Sequence, residues 1–507
     1  ATFGKSNVGV LALFEAKSND STTMGAVRKN YNLSIDELNM GSSSQADINN
    51  SGYSTRARQI GFVYRLQYDY DSRYLLEASG RYDGSYYFPR ESRFGFFPAV
   101  SVGWRLSEEN FLKNNVRWLD NLKLRASYGE VGALAGSPFQ YLSTYGVYGP
   151  AYVLGGAAVQ GLRERPEANI KITWERARKT DVGLEFSLWK GLLNMEIDYF
   201  FEKRANMLAA PQAVLPSEYG IAVSQENAAE MKNHGIDLMA STQYRVSEDL
   251  RLTLSGNFTF AKNTMLKVFE PATTYNNPNR RQTGRALGTQ FGYKSLGYFQ
   301  VDDFDDQGNL KSGIATQPWG KVRPGDIRYQ DTNSDQKIDV NDIVVTGKPL
   351  IPQIVYGINP GATYKSFALD LLFQGAARSN IYLNNYAVWA FAGGTLPVRQ
   401  NLDYWTPENP NALNPRITSA PTNNNTQASS HWMRNSSYLR LKSVMLSYSI
   451  PSAALEKIRI RSVRIFVSGQ NVFTWTPMVN YDPETVVTSG LNYPQQKVIS
   501  IGTNIMF

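Results

Sequence analysis

Apolar and polar residues alternate one by one along much of the chain, a pattern that predicts β-strands with one apolar face. The clearest example is "LLNMEIDYFF" (192–201), and "GFVYRLQYDY" (61–70) and "RLTLSGNFTF" (251–260) show the same alternation. Combined with turn signals, the pattern predicts about 14 strands. They lie near 5–17, 56–70, 73–84, 94–106, 120–130, 176–189, 192–205, 230–246, 249–263, 352–364, 367–378, 437–450, 461–475 and 496–507. A change of parity between Leu441 and Val444 indicates a β-bulge.

The connections between these strands are short and long in turn. Short links at 70–73, 190–191, 247–249 and 365–366 alternate with long ones at 18–55, 131–175, 206–229, 264–351, 379–436 and 476–495. The link at 85–93 is a short member of the long class, and 107–119 and 451–460 are medium members of the short class. Membrane barrels have this rhythm, because short periplasmic turns alternate with long extracellular loops. A soluble sandwich has no reason to separate its loops by length.

The predicted fold class is therefore all-β, an antiparallel transmembrane β-barrel. A helical membrane protein is excluded because no apolar run approaches the roughly 18–20 residues that a spanning helix needs. The mean hydropathy of −0.37 does not exclude a barrel, since polar positions facing the lumen alternate with apolar positions facing lipid. Aromatic residues near the predicted strand ends fit an interfacial girdle; they are Tyr70, Tyr74, Trp104, Trp189, Tyr364 and Phe367.

The last strand carries alternating residues that end on an aromatic, as in the signal read by the outer-membrane barrel-assembly machinery. Its predicted signal residues are Ile501, Thr503, Ile505 and Phe507. If the C-terminus lies on the periplasmic side, counting back through about 14 strands places Ala1 on the periplasmic side as well. The barrel strands (staves) in this chain are therefore expected to be an incomplete set. Open edges in lipid are costly, so something else must supply the rest. The opening "ATFGKSNVGVLALFEAK" reads as a strand, not a signal peptide, so the true N-terminus is expected elsewhere.

Composition argues against several kinds of chemistry. The chain has no Cys, which excludes disulfides and thiolate sites, and its two His residues, His234 and His431, make a multi-histidine zinc site or a catalytic triad a poor interpretation. The 52 basic and 44 acidic residues are spread along the chain, so a nucleic-acid surface is not expected. Carboxylates on the predicted lumen face read as lining and not as a catalytic pair; they are Glu185, Glu196, Asp198 and Glu202. The chain is not expected to be an enzyme.

The segment "DTNSDQKIDVND" (331–342) has the oxygen-donor spacing of a calcium loop. The predicted ligands are Asp331, Asn333, Asp335, the carbonyl of Lys337, Asp339 and Asp342. Gln336 stands where Gly eases the turn, and Asp342 replaces the usual bidentate Glu. Two interpretations stay open: a structural calcium in an extracellular loop, or a solvated turn with Asx caps. The acidic stretch 301–309 lacks such spacing and is interpreted as a surface turn.

Several segments resemble the SusC/RagA family of TonB-dependent outer-membrane transporters from Bacteroidota. They are "YLLEASGRYDGSYYF" (74–88), "RFGFFPAVSVGWRLSEENFL" (93–112), "LDNLKLRASYGEVG" (119–132), "WERARKTDVGLEFSL" (174–188), "PGDIRYQDTNSDQKIDVNDIVVTGKPLIPQIVYGINPGATYKSFALDLLFQGA" (324–376), "YLRLKSVMLSYSIP" (438–451), "RIFVSGQNVFTWT" (464–476) and "DPE" (482–484). The resemblance implies the C-terminal part of a barrel of about 22 strands, without its plug and first strands. The chain would then be a proteolytic fragment, a subunit of a split transporter or one piece of a longer protein.

The resemblance implies import of oligosaccharides or peptides, with a SusD-like lipoprotein as a hinged lid and the TonB complex acting through the missing N-terminal part. It also implies an N-terminal plug-bearing polypeptide and dimers of transporter–lipoprotein pairs. Loops 264–351 and 379–436 would form the vestibule and the lid-docking surface. Seven loop aromatics could stack on sugars or pack on peptide side chains, although an aromatic in a long loop more often anchors the loop on itself, so about two of the seven are expected to touch ligand. The seven are Tyr145, Tyr148, Tyr152, Trp389, Tyr404, Trp405 and Trp432.

Segments 406–416 and 420–430 are interpreted either as lid-facing loop or as exposed connection. Two rival functions stay open. The first is a passive or structural barrel, such as a porin or scaffold. The second is a soluble all-β protein that binds or hydrolyses carbohydrate.

Overall fold

The computed structural model describes residues 1–211, 220–451, 455 and 460–507. Its α-helices in these residues are α1 (Asn110–Lys113) and α2 (Ala272–Tyr275). The strands are β1 Thr2–Phe3, β2 Ser6–Arg28, β3 Ile48–Tyr70, β4 Tyr74–Ser85, β5 Phe94–Arg105, β6 Leu119–Ala133, β7 Tyr145–Leu154, β8 Ala157–Glu164, β9 Glu175–Leu188, β10 Leu193–Ala209, β11 Glu226–Arg245, β12 Leu250–Lys267, β13 Gln290–Gly292, β14 Ser295–Tyr298, β15 Ile327–Tyr329, β16 Val344–Gly347, β17 Ile354–Tyr364, β18 Phe367–Ala377, β19 Asn380–Tyr382, β20 Met433–Asn435, β21 Tyr438–Ser449, β22 Ser462–Trp475 and β23 Val498–Met506.

One large antiparallel sheet contains fifteen of these strands, in the order β1-β2-β3-β4-β5-β6-β9-β10-β11-β12-β17-β18-β21-β22-β23. All fourteen predicted strands are in this sheet, and the additional strand, β1, pairs only through Thr2 and Phe3. Within this sheet, each strand pairs with the strand that follows it in chain order. The sheet is therefore a continuous antiparallel meander whose neighbours are joined by short turns or by the long loops. The remaining eight strands form four two-stranded sheets within the long loops: β7-β8, β13-β16, β14-β15 and β19-β20.

The predicted loop at 18–55 is partly wrong, because β2 and β3 pair continuously from Ser6↔Tyr70 to Arg28↔Ile48. The connection is therefore 29–47. The added residues are mostly Ser, Thr, Asn and Arg on both faces, so the alternation that marks a half-buried strand is missing there. Parts of the predicted connections 206–229 and 451–460 lie outside the described residues.

The predicted bulge in β21 is confirmed. The register against β22 shifts between Leu441 and Ser443, and the register against β18 shifts at the same place. The shift changes which residues of β21 face inward, and it places Arg440 beside the loop that follows β22.

The two faces of the sheet differ in chemistry, as the alternation predicts. Exposed apolar side chains cover the outer face on successive strands, including Leu124, Val182, Tyr199, Ile236, Leu254, Phe258, Leu446, Val467 and Ile501. The other face, called here the inner wall, carries polar and charged residues such as Gln67, Glu77, Arg125, Asp181 and Asn257. Such a division suits a sheet that meets lipid on one side and a polar passage on the other. In the described part of the chain, no helix is long and apolar enough to cross a bilayer.

The last strand continues this pattern. Ile501 and Ile505 are exposed on β23, at the sheet edge opposite β1, and Phe507 follows the strand with an exposed ring. The role of these residues and of Thr503 as an assembly signal stays a prediction.

Candidate functional site

Three long connections between strands pack into a hydrophobic core, called here the loop core. Residues from 268–353, 378–437 and 476–497 meet in it, so members as distant in the chain as Tyr293 and Met478 share one core. Its buried members are Tyr293, Tyr298, Ile327, Tyr329, Ile338, Ile381, Leu383, Ala387, Val388, Trp405, Ala412, Trp432 and Met478. The loops at this end of the sheet are therefore folded structure and not loose connections.

Buried amide side chains hold the loop core together. The Asn425 Oδ1 accepts a hydrogen bond from the Ile327 backbone N–H at 2.9 Å, and its Nδ2 donates to Asp326 at 3.0 Å. Asn424 donates to the Ile327 carbonyl at 2.9 Å and accepts from the Gln317 Nε2. The two amide side chains thus satisfy the N–H and C=O groups of Ile327, which a neighbouring strand would otherwise bond.

These amides correct one sequence-based interpretation. The interpretation of 420–430 as exposed connection is wrong at two positions, because Asn424 is 3% and Asn425 4% exposed, and the alternative of a lid-facing loop stays a prediction. The neighbouring Asp326 carboxylate is also buried, and Arg416 binds it through two hydrogen bonds of 2.8 and 3.1 Å. This bidentate pair leaves no unpaired charge on Asp326.

The seven predicted ligand-binding aromatics do not form one site. Trp432 is 1% and Trp405 6% exposed, so both pack inside the loop core and cannot stack on a ligand in this conformation. Trp389 is half-buried against the same core. The rings of Tyr145, Tyr148 and Tyr152 are exposed on β7 of the β7–β8 hairpin, and Tyr404 is exposed at the edge of the loop core. Four of the seven are therefore open to a ligand.

Burial shifts the pKa of several titratable side chains of the loop core toward their neutral forms. Burial lowers the pKa of His431 to about 4, with a smaller contribution from Arg434, so the imidazole is neutral at pH 7. Burial also raises the pKa of Tyr382 to about 12 and raises the pKa of Tyr298 and Tyr329. His431 lies with its Nε2 3.4 Å from the Tyr298 hydroxyl.

The predicted calcium loop is a compact turn in which the carboxylates accept backbone hydrogen bonds. Asp331 accepts from the N–H groups of Ser334 and Gln336, at 2.6 and 2.7 Å. The buried Asp342 accepts from Thr332 N at 2.7 Å and Asp339 N at 2.8 Å. Gln336 adopts the positive φ of 63° that Gly would take there without strain. Among the described residues, no three His, Asp or Glu side chains converge as metal donors. Calcium binding stays a prediction.

The acidic stretch 301–309 forms a turn at the surface, as expected. Asp305 accepts hydrogen bonds from the N–H groups of Gln307 and Asn309, and these backbone contacts lower its pKa. Phe304 from the same stretch is buried with Phe299, so the turn is anchored by one aromatic side chain.

The carboxylates of the inner wall are paired with cations, which fits lining and not catalysis. Arg125 bonds Asp198 at 2.6 Å, lies 3.1 Å from Glu185 and also bonds Glu196. Glu202 pairs with Lys179 at 3.4 Å and with Arg204 at 3.1 Å. All four predicted lumen carboxylates are therefore held in ion pairs with cations on β6, β9 or β10.

Sequence reasoning missed two paired arginines, the partly buried Arg416 and the buried Arg440. Both are held by carboxylates distant in the chain, Asp326 for the first and Asp482 with Glu484 for the second. The "DPE" tripeptide at 482–484 was visible as a motif, but no local pattern indicates which cation it meets.

Comparison with known proteins agrees with this architecture. Residues 3–472 match the family model described as "TonB dependent receptor-like, beta-barrel". TonB-dependent receptor P3 of Formosa agariphila is 28% identical over 481 residues, which cover 90% of this chain and 46% of that protein. TonB-dependent receptor SusC of Bacteroides thetaiotaomicron is 24% identical over 471 residues, which cover 90% of this chain and 44% of that protein. The chain thus spans about half the length of the curated relatives it matches.

The fold is also similar to solved structures. The structure of the RagAB peptide transporter superposes with a TM-score of 0.78 at 21% identity, covering 99% of this chain and 53% of that one. The RagAB peptide importer in the "closed-closed" state gives the same TM-score at 20% identity, covering all of this chain and 54% of that one. The predicted resemblance and the all-β barrel fold are confirmed.

Proposed function

The chain belongs to the TonB-dependent receptor-like β-barrel family, and from this premise we propose that it takes part in energised import of oligosaccharides or peptides. The chain is of the SusC/RagA type and is an outer-membrane protein. Members of its family are receptors and not enzymes. The chain supplies the C-terminal staves of a larger barrel. An N-terminal polypeptide supplies the remaining staves and the plug.

The observation that carries the proposal is the match to the receptor family over residues 3–472. The two-faced sheet adds physical support. An apolar outer face such as Leu254 and Phe258 suits lipid, and an inner wall of paired charges around Arg125 suits a wet passage for polar solutes.

The proposed partners follow from the same premise. A SusD-like lipoprotein covers the long-loop end, and the TonB complex pulls on the plug-bearing part. Two transporter–lipoprotein pairs associate as a dimer. The structurally similar RagAB protein is a peptide transporter, which supports peptides as one substrate class.

The loop core would frame the entrance of the passage. We assign ligand contact to the exposed aromatics Tyr145, Tyr148, Tyr152 and Tyr404, because an open ring face can stack on a sugar or pack on a peptide side chain. Trp405 and Trp432 instead support the surface that carries these contacts. A calcium ion in the 331–342 turn would act as a structural staple of the longest loop.

The composition of the native complex tests the proposal. Protein purified from outer membranes in mild detergent is analysed by peptide mass spectrometry. We expect a plug-bearing N-terminal polypeptide and a SusD-like lipoprotein to co-elute. Recovery of this chain alone, or extraction without detergent, contradicts the proposal.

The rival function, a passive or structural barrel, predicts a different energy dependence. Uptake of labelled oligosaccharide and peptide pools is compared in cells with and without a working TonB complex. We expect uptake to stop when TonB is lost, whereas a passive barrel would continue to conduct. The pool that depends on this chain identifies the substrate class.

A further inference from the structure

A buried arginine joins the inner wall to the loop that follows β22. Arg440 lies on β21 near its long-loop end and is 1% exposed. Its Nη2 donates to both carboxylate oxygens of Asp482, at 2.8 and 2.7 Å, and its Nη1 donates to Glu484 at 2.5 Å. Burying a guanidinium is costly unless it is fully paired. The geometry meets that condition with two carboxylates from one loop.

The remaining donors and acceptors of this cluster are also satisfied. The Arg440 Nε donates to the Thr474 hydroxyl at 2.9 Å, and the Tyr438 hydroxyl donates to the second oxygen of Glu484 at 2.6 Å. Lys442 lies 3.9 Å from Glu484, so two cations face two carboxylates. The cluster is therefore neutral overall, which lowers the cost of its burial.

The same loop, 476–497, also binds the loop core. Met478 is buried in that core, and the Tyr481 hydroxyl donates to the Ala387 carbonyl. The Asn384 N–H donates to the Thr488 carbonyl at 2.9 Å. Loop 476–497 thus has one set of contacts on the wall and another on the loop core, and it bridges the two.

We propose that Arg440, Asp482 and Glu484 form a latch that positions the loop core against the inner wall, and that opening the latch releases loop 476–497 from the wall. Arg440 is then a positioning residue, since it acts through the loop it holds. Because Asp482 and Glu484 are the acidic residues of 476–497, the latch is the charged attachment of this loop. The proposal concerns loop position and does not depend on the proposed substrate.

Hydrogen exchange measured by mass spectrometry on the detergent-purified protein tests the latch. The variant Arg440→Met keeps an apolar side chain about as long as the aliphatic stem of arginine but leaves two carboxylates without their guanidinium. We expect amide exchange within 480–496 to become about a hundredfold faster, since removing one partner of a buried ion pair strongly favours opening. Exchange in 290–347, which contributes none of the hydrogen bonds to Arg440, Asp482 or Glu484, should stay unchanged.

Two further variants separate a charged latch from a general loss of packing. The triple variant Arg440→Met with Asp482→Asn and Glu484→Gln removes the charge from both sides, and it should exchange more slowly than Arg440→Met alone. The matched control is Arg56→Met, which breaks the exposed pair with Asp20 and should leave 480–496 unchanged. Equal acceleration across all long loops, or no acceleration within 480–496, would overturn the proposal. So would a triple variant as fast as Arg440→Met.

Discussion

Trp432 offers the sharpest choice between a ligand-binding and a structural role for a loop aromatic. The side chain is 1% exposed, its Nε1–H donates to the Asn425 carbonyl at 2.8 Å, and its ring meets the His431 ring at a centroid distance of 4.5 Å. Truncation to alanine removes the whole indole from a packed site. We expect Trp432→Ala to cost about 3–5 kcal/mol in the stability of the loop core.

The variant Trp432→Phe divides this cost into parts. It keeps most of the ring but removes the N–H donor, so it leaves the buried Asn425 carbonyl without one of its partners. A lost hydrogen bond of this kind costs about 1–3 kcal/mol. The remainder of the alanine effect then reports the packing of the ring.

The assay is local opening of segment 378–437, followed by hydrogen exchange and by the rate of tryptic cleavage. A loss of about 3 kcal/mol corresponds to roughly a hundredfold increase in the open population. Strands far from the loop core, such as β3 and β10, should exchange as before. Tyr404→Ala, at an exposed ring of the same segment, is the matched control, with an expected cost below about 0.5 kcal/mol.

The result that would refute this reasoning is a Trp432→Ala protein whose loop core is as stable as the parent but whose ligand binding is lost. That outcome would restore Trp432 as a contact residue. It would also mean that the loop core opens to expose the indole.

Three other perturbations have defined outcomes. The pKa of His431 is about 4 in the folded protein and 6.5 in the unfolded chain, so protonation favours unfolding. The stability of the loop core should therefore fall by up to about 3 kcal/mol as the pH drops from 6.5 to 4. Unfolding curves of His431→Gln should show a smaller loss over the same pH range. If the 331–342 turn binds calcium, EGTA should accelerate its amide exchange and added Ca²⁺ should reverse the effect, whereas a plain Asx turn would respond to neither. Gly235→Ala should reduce recovery of folded barrel from outer membranes, because the new Cβ would lie 2.0 Å from the Phe260 carbonyl oxygen, while Gly256→Ala, with 3.1 Å to the nearest atom, should be milder.

The strands of the large sheet were predictable because their signal is local. A half-buried strand repeats its chemistry every two residues, and each strand here pairs with its sequence neighbour in the sheet. Most predicted bounds therefore lie within a few residues of the observed strands. The prediction failed at 18–28 and 48–55, where the β2–β3 hairpin continues with polar residues on both faces. Pairing in this part follows the register that the alternating part of the same two strands sets.

The loop core was not predictable from the same signal. Whether Trp432 stacks on a ligand or packs inside depends on residues near 298, 388 and 425, and no periodicity connects these segments. Tyr404 and Trp405 are neighbours in sequence, yet one ring is exposed and the other buried. The sequence therefore shows that a loop is rich in aromatic residues, but residue type alone does not show which of the rings are exposed and which are buried.

Asn424 and Asn425 show why a polar composition is a poor guide to exposure in such loops. An Asn-rich stretch without periodicity favours exposed connection, because buried polar groups need partners. Here the partners are backbone groups of Ile327, about a hundred positions earlier, and each amide can both donate and accept. Burial of the pair is thus stabilising only after 326–329 has folded into β15 beside β14. It follows that segments 326–329 and 424–425 are coupled: loss of either one leaves unpaired polar groups in the other, so these two segments should form or open together.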